Sequence, residues 1–168
     1  LGDVYKRQLY DDVGCWNVKD GFFKEMKEAG IEVYAFLRVA FPVFTSKVNY
    51  RNHRKIIVID GKVGFMGGMN IADRYDKGTS WGTWRDTHFK FVGKGVHGLQ
   101  SVFLIDWYVV SKKLLNDRIY YPAAEIYSDN IMQIATSGPV GQWRTLLQAT
   151  IFMICLLYTS PSPRDYAA

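Results

Sequence analysis

The sequence predicts an α/β fold in which a mixed β-sheet is flanked by helices. Three observations support this class: a strand–helix–strand order near the start, a hairpin pattern in the middle, and a long helix with an apolar stripe after it. Of the 168 residues, 48% are apolar and 22% are charged, a balance typical of a chain that folds around an apolar core.

The first elements follow from helix and strand periodicity. The chain opens within a strand that ends in a loop over residues 11–14. Asp20 as an N-cap, followed by apolar residues at helical spacing, predicts a helix over 20–29 that Gly30 ends. A short β-rich run over 31–37 predicts a buried strand.

A hairpin is predicted in the middle of the chain. Two β-rich runs, 55–59 and 62–66, are separated by Asp60-Gly61, a dipeptide favoured in tight hairpin turns. The later predictions are a turn leading into a short helical segment at 69–73, a strand over 87–92, a helix over 96–115, a connector over 116–130, a strand over 131–135 and the start of a helix over 142–154.

The two ends of the chain look foreign to the rest. Residues 1–8 and 155–168 lack helix or strand periodicity, and one DNA sequence and its reverse complement encode most of both segments. This relation resembles a sequencing-library adaptor read through at both ends, so we expect two non-native tails outside the fold. The net charge of +5 becomes +4 for residues 9–154, because residues 1–8 contribute +1 and residues 155–168 contribute nothing.

The net charge, the cysteine content and the apolar runs of the sequence each limit the classes of protein to which the chain can belong. A positive net charge favours phosphates, nucleic acid or anionic lipid without choosing among them. Two cysteines exclude a disulfide framework, and Cys15, the only thiol of residues 9–154, is expected to be inert. The sequence has no run of eighteen apolar residues and no signal-peptide pattern at its N-terminus.

The chemistry is concentrated in one motif, HxKxxxxD followed six residues later by GGxN, which contains His53, Lys55, Asp60 and Asn70. Side chains alternate along a strand, so His53 and Lys55 are predicted to project from the same face. An ammonium supplies charge to the non-bridging oxygens of a phosphodiester, and a neutral imidazole can attack phosphorus. The glycines at 67 and 68 allow close backbone approach, and amide donors could hold phosphate oxygens without a metal.

Several of these residues also have structural interpretations. The carboxylate of Asp60 could cap backbone amides of the hairpin turn instead of taking part in catalysis. Asp11 and Asp12 could form an acidic pair near the site or simply belong to a loop turn. His88 and His97 have no metal-like spacing with other ligands, so we predict no metal site.

Residues 9–154 resemble the first half of bacterial cardiolipin synthases, a branch of the phospholipase D superfamily. The resemblance implies a phospholipase D-like (HKD) domain over 9–128, truncated at its N-terminus, and the beginning of a second domain over 129–154. Members of the family have two HKD motifs that meet at a shared active site, and usually have N-terminal membrane helices. The resemblance is carried by residues 9–14, 49–75, 84–91, 99–107 and 137–148.

The resemblance also assigns roles to residues. His53 would be the nucleophile or its acid/base partner, and Lys55, Gly68 and Asn70 would bind phosphate. Asp86 would be the carboxylate that orients the imidazole of His53, which is physically reasonable because an imidazole nucleophile gains from a carboxylate on its other nitrogen. Gly68 replaces a serine that is common elsewhere in the superfamily, which removes one hydroxyl donor.

The activity implied is phosphatidyl transfer between phosphatidylglycerol molecules through a phosphohistidine, with no cofactor, at the bacterial inner (cytoplasmic) membrane. The implied partners are anionic phospholipid, a membrane surface, and a second HKD half or a second copy of this chain; nucleic acid is not expected. This chain alone is expected to be inactive. Two alternatives stay open: a phospholipase D-type phosphodiesterase or nuclease, and a non-catalytic half-domain that binds phosphate or anionic lipid.

Overall fold

The computed structural model describes residues 5–38, 51–129, 132–137 and 148–153. The chain divides into two compact units, Leu1–Ile134 and Ala135–Ala168. The named helices and strands below lie in the first unit, which also contains the sequence motif.

The first unit begins with a strand–helix–strand arrangement. Strands β1 (Lys6–Asp11) and β2 (Ile31–Phe36) pair in parallel, and helix α1 (Asp20–Glu28) connects them. Parallel strands need such a crossover, because the end of one strand and the start of the next lie at opposite ends of the sheet. Val33 and Phe36 on β2 are buried, as predicted for this strand. The predicted order of these three elements is confirmed.

The first strand begins earlier than predicted. Lys6–Gln8 pair with β2, and the guanidinium of Arg7 lies 3.1 Å from the Glu32 carboxylate and 5.6 Å from the ring of Trp107. Residues 6–8 are thus part of β1, and the non-native origin of residues 1–8 stays a prediction. Strand pairing uses backbone groups that every residue except proline carries, so weak periodicity did not exclude it.

A second sheet contains the predicted hairpin. Strands β3 (Ile56–Ile59), β4 (Val63–Gly67) and β5 (His88–Val92) are antiparallel, in the order β3-β4-β5. Asp60 and Gly61 both have positive φ, 52° and 65°, as a type I′ turn requires. The hairpin and the strand after it are confirmed.

The mixed sheet itself is not found. In the ranges that the structure describes, the parallel pair β1-β2 and the antiparallel triplet β3-β4-β5 are separate sheets. The α/β class is confirmed, but the single mixed sheet is not observed. Periodicity reports that a segment is a strand, whereas pairing between strands distant in sequence is a tertiary choice.

The core centres on helix α3 (Val96–Ser111), which ends at Lys112 with a left-handed φ of 59°. It is four residues shorter than the prediction of 96–115. The ring of Trp107, which is fully buried, contacts Tyr34 of β2 edge-on at 5.1 Å between centroids. The helix therefore packs on the first sheet. The other buried apolar residues of α3 are Val96, Leu99, Val102 and Leu104.

The strand predicted over 131–135 is wrong for the residues described there, which form neither helix nor strand. Their apolar side chains pack on α3 instead: Met132 fills the space beside Gly95, and Ile134 fills the space beside Gly98. Alternating apolar residues can thus serve side-chain packing without strand pairing.

The remaining elements are short. Helix α2 (Asp73–Asp76) confirms the predicted short helical segment, and 3₁₀ turns occur at Val13–Cys15 and Arg118–Tyr120. Residues 148–153 are helical, within the predicted helix of 142–154. The other residues of that prediction lie outside the described residues.

Candidate active site

The ends of three strands lie together at one end of the second sheet. Lys55 directly precedes β3, Gly67 ends β4, and Asp86 lies two residues before β5. The backbone N–H of Gly67 donates to the carbonyl of Lys55 at 3.4 Å, and that of Gly68 donates to the carbonyl of Thr87 at 3.2 Å. We call Lys55, Gly67, Gly68 and Asp86 the motif end of the sheet. Residues separated by more than thirty positions in the sequence are therefore neighbours.

These backbone bonds also restrict what the glycines can do. The amide N–H groups of Gly67 and Gly68 already donate within the sheet. The phosphate-binding role that the resemblance implies for Gly68 stays a prediction.

His53 and Lys55 lie next to each other along the chain before β3. The His53 residue is exposed, and the ammonium of Lys55 donates to the backbone carbonyl of His53 at 2.7 Å. A positive charge is thus held close to the backbone of the histidine. Such a charge beside an accessible imidazole can attract a phosphodiester to the nitrogen that would attack it.

Asp86 is near the motif but is not hydrogen-bonded to His53 within the described residues. Its Oδ1 accepts a hydrogen bond from the backbone N–H of Thr87 at 2.7 Å. The structure thus brings Asp86 to the motif end through Gly68 and not through the imidazole. Its orienting role towards His53 stays a prediction.

Gly68 is in close contact with Asp86. A Cβ atom at position 68 would overlap the Asp86 carboxylate, with Cγ at 2.9 Å. In the sequence, glycine in place of serine is seen only as the loss of a hydroxyl donor. The structure shows a different reason for glycine: the carboxylate occupies the space that a side chain would need.

Asn70 lies beyond the end of β4, on the rim of an open depression of about 460 Å³. Its Nδ2 donates to the hydroxyl of Tyr75 at 3.0 Å. Interaction with Arg74, and then with Asn70, lowers the pKa of Tyr75. The Arg74 guanidinium lies 5.1 Å from the ring of Tyr75 and 5.5 Å from that of Trp84. The depression is lined by residues 69–73, 75 and 76, so the Asp73 and Asp76 residues line it together with Asn70, while Arg74 lies against the rings of Tyr75 and Trp84.

Asp60 lies at the opposite end of the sheet from Lys55. The two residues are separated by the whole of β3, roughly 16 Å at about 3.3 Å per residue. The turn is closed by a hydrogen bond from the Lys62 N–H to the Ile59 carbonyl at 3.0 Å. This position favours the turn interpretation of Asp60 over a catalytic one.

Two ion pairs hold the segment before β3. Arg51 donates to Asp11 at 2.9 and 2.6 Å, and this hydrogen bond raises the pKa of Arg51. Asp11 is thus an ion-pair partner and also accepts from the Gly14 N–H at 3.0 Å. Arg54 donates to both carboxylate oxygens of Asp106 at 2.7 Å.

Asp106 lies outside the HxKxxxxD and GGxN patterns and was not predicted as a functional residue. The residue is only 8% exposed and lies on α3, between apolar neighbours. A charged residue inside an apolar helical stripe needs a partner when it is buried, which was the signal available in the sequence.

Among the remaining titratable candidates, His88 lies at the motif end: it pairs with Gly67 in the sheet, and its Nδ1 would lie 2.5 Å from a Cβ built at Gly67. Burial raises the pKa of the Cys15 thiol, with further contributions from Asp11 and Asp12, which keeps the thiol protonated and weakly nucleophilic. His88 is the first residue of β5 and its buried Nδ1 has no hydrogen-bond partner among the described residues. His97 contacts the ring of Tyr121 edge-on at 5.6 Å.

Two further properties concern metals and membranes. Among the residues that the structure describes, no group of three or more His, Cys, Asp or Glu side chains could hold a metal ion. The helices in those same ranges do not reach the length and apolarity that a membrane span requires.

The fold and the motif define a class: an α/β protein in which an exposed histidine, His53, and the neighbouring Lys55 lie at the start of an antiparallel sheet. Comparison with curated proteins makes the assignment more specific. The chain is 44% identical over 143 residues to the cardiolipin synthase of Alkalihalophilus pseudofirmus, which covers 83% of this chain. It is 40% identical over 154 residues, 90% of this chain, to cardiolipin synthase 2 of Bacillus cereus and to the cardiolipin synthase of Geobacillus thermodenitrificans.

The resemblance to bacterial cardiolipin synthases that the sequence predicts is therefore confirmed. The chain spans 28% to 31% of the length of these three relatives. No family model matches the chain. No solved structure matches it either.

Proposed function

We propose that this chain is the HKD-bearing part of a phosphatidyltransferase of the cardiolipin synthase type. One observation carries the proposal: the motif that contains His53 and Lys55 lies at a sheet end in a chain that is 40% to 44% identical to cardiolipin synthases. The substrate class is an anionic glycerophospholipid, phosphatidylglycerol, presented at the surface of the bacterial inner membrane.

The proposed reaction is a double displacement at phosphorus. A ring nitrogen of His53 attacks the phosphodiester, so that an N–P bond forms and the P–O bond to the leaving glycerol breaks. The leaving oxygen takes a proton from a general acid. The hydroxyl of a second phosphatidylglycerol then attacks phosphorus, loses its proton to that same group acting as base, and releases the imidazole.

The side chains around His53 would stabilise the charge that develops on the phosphate. The Lys55 ammonium would contact non-bridging oxygens, and Asn70 would donate to another oxygen after exchanging its bond with Tyr75. Asp86 would reach the imidazole once the site is complete. Asp60 would hold the turn, because it lies at the far end of β3.

The general acid has to come from outside the motif of this chain, since residues 1–168 contain a single HxKxxxxD pattern. We propose that a second HKD half, or a second copy of this chain, supplies it. For the same reason we propose that the chain alone has little or no catalytic activity.

A chimeric enzyme tests the proposal. The aligned segment of this chain replaces its counterpart in the Alkalihalophilus pseudofirmus cardiolipin synthase, and cardiolipin formed from radiolabelled phosphatidylglycerol vesicles is measured. We expect the chimera to make cardiolipin and the His53→Ala chimera to lose at least about 10³-fold of that activity, as removal of a nucleophile does. His97→Ala is the matched control, because His97 lies on α3 away from the motif end.

The products distinguish the alternatives. Cardiolipin and free glycerol support transfer, whereas phosphatidic acid alone indicates that water is the acceptor and supports a phosphodiesterase. A folded chimera without turnover, or a His53→Ala chimera as active as the unmodified one, contradicts the proposal.

A further inference from the structure

A closed network of hydrogen bonds joins the catalytic motif to helix α3. Arg54 donates to Oδ1 and Oδ2 of Asp106, each at 2.7 Å. The Asn52 amide donates to Asp106 Oδ2 at 3.2 Å, and its own oxygen accepts from the Arg54 backbone N–H at 3.0 Å. One carboxylate therefore holds two residues of the chain, and those two residues also hold each other.

The network and the catalytic groups alternate along the chain. Asn52 and Arg54 converge on Asp106, while His53 lies between them and Lys55 follows. The His53 residue is exposed, whereas the Asp106 residue is only 8% exposed. The two residues whose side chains reach Asp106 thus alternate in sequence with the two motif residues, directly before β3 begins at Ile56. Side chains that alternate in this way project to opposite faces where a segment is extended.

The anchor itself is rigid. Asp106 is followed by Trp107, which is fully buried and contacts Tyr34 of β2 at 5.1 Å. A carboxylate fixed in the core is a better reference point than one on a surface loop, because its rotamer is set by packing on all sides. By contrast, the hydrogen bonds of Lys55 among the described residues are to His53 and Gly67, which lie in or next to the second sheet.

We propose that Asp106 is a positioning residue: through Asn52 and Arg54 it fixes the backbone of residues 52–55 so that His53 and Lys55 face the phosphate in reactive alignment. The inference rests on the proposed function of His53. Asp106 does not touch the substrate. Its effect is on the rate of the step at phosphorus, which is sensitive to displacements of about 1 Å that can cost roughly 100-fold.

The experiment measures the first chemical step in the chimeric cardiolipin synthase. Rapid quenching with radiolabelled phosphatidylglycerol gives two quantities, the rate constant for labelling of the protein and the amplitude of labelling per mole of protein. For Asp106→Asn we expect the rate constant to fall about 10- to 100-fold, with the amplitude unchanged. Arg54 donates to both Asp106 oxygens through the single nitrogen Nη1. Arg54→Lys keeps a positive charge and one donating nitrogen, so it should lose less than Asp106→Asn.

Glu32→Gln is the matched control. Glu32 also pairs with cations, Arg7 at 3.1 Å and Lys113 at 3.4 Å, but it has no link to residues 52–55. The rate constant of Glu32→Gln should stay within about twofold of that of the unmodified chimera, because partly exposed ion pairs contribute little to the free energy of folding.

A second measurement does not depend on catalysis. In proton–carbon NMR spectra of the full chain, the ring signals of His53 are those lost in His53→Ala. Asp106→Asn should shift or broaden these His53 signals. The ring signals of the other two histidines, His88 and His97, should stay in place.

The outcomes separate the two proposals. A lower amplitude with an unchanged rate constant means that Asp106 serves only folding, and it overturns the positioning role. The same conclusion follows if Asp106→Asn and Glu32→Gln behave alike. If the unmodified chimera makes cardiolipin and His53→Ala does so equally well, the proposed function of His53 fails instead, whatever Asp106 does.

Discussion

The two ends of the β3–β4–β5 sheet differ in how they are built. The turn end, Asp60-Gly61, is made by two adjacent residues with positive φ, and Gly61 is buried against Pro122 and the carbonyl of Tyr120. The motif end brings together segments around positions 55, 68 and 86, and both His53 and Asp86 are exposed there. The comparison predicts that the turn end mainly stabilises the sheet, while the motif end presents the reactive groups.

The strongest test of this comparison removes a charge at the motif end. Lys55→Met in the chimeric enzyme should lower the rate of cardiolipin formation about 10²- to 10³-fold, as loss of one preorganised donor to a developing anion does. Lys62→Met, beside the turn end, is the control and should keep most of the activity. Equal losses in the two variants would mean that the ends do not differ in function.

The second test introduces a side chain where Asp86 occupies the space. Gly68→Ser should lower the activity about 10- to 100-fold, because the new Cβ displaces the carboxylate by an ångström or more. The measurement is the turnover of the chimera at saturating substrate. Gly21→Ser in α1 is the control, since no atom lies within 4 Å of a Cβ built there. An unaffected Gly68→Ser enzyme would show that the position of Asp86 is unimportant.

The third test addresses stability at the turn end. Gly61→Ala forces a left-handed φ of 65° on alanine and places its Cβ 2.6 Å from Cδ of Pro122. We expect the free energy of unfolding to fall by about 1–3 kcal/mol, measured by urea unfolding of the full chain, with the activity of the folded chimera unchanged. Gly21→Ala should instead stabilise the chain by about 0.5–1 kcal/mol, because α1 leaves it room. A loss of activity without a loss of stability would reverse the comparison.

The smallest effect is expected at Asp60. Asparagine tolerates left-handed φ as well as aspartate does, so Asp60→Asn should change stability by less than about 0.5 kcal/mol and leave turnover unchanged. The same substitution at Asp86 is the counterpart at the motif end, where we expect turnover to fall. If Asp60→Asn abolishes activity, the catalytic interpretation of Asp60 is restored.

Local chemistry made much of the fold predictable. The Asp60-Gly61 turn, the apolar stripe of α1 and the β-rich run of β2 each depend on residues close together in sequence, and each was predicted within one or two positions. The strand predicted over 131–135 was wrong, because Met132 and Ile134 pack on α3 and periodicity does not distinguish that from pairing. The described strands form two sheets where one mixed sheet was predicted, for a related reason: pairing partners are distant in sequence.

The candidate site also has a part that the sequence predicts and a part that only the tertiary structure shows. The motif by itself identified His53, Lys55 and Asn70 as a group suited to phosphate, since their types and spacing carry the chemistry. Only the tertiary structure decided that Asp60 is separated from them by β3, that the Asp86 carboxylate fills the space beside Gly68, and that Asp106 anchors the segment. Residue types and short spacings can be read directly from the sequence. A contact between distant residues, such as Arg54 with Asp106, forms only when helix α3 packs in the folded chain, because the buried Asp106 carboxylate then needs a partner.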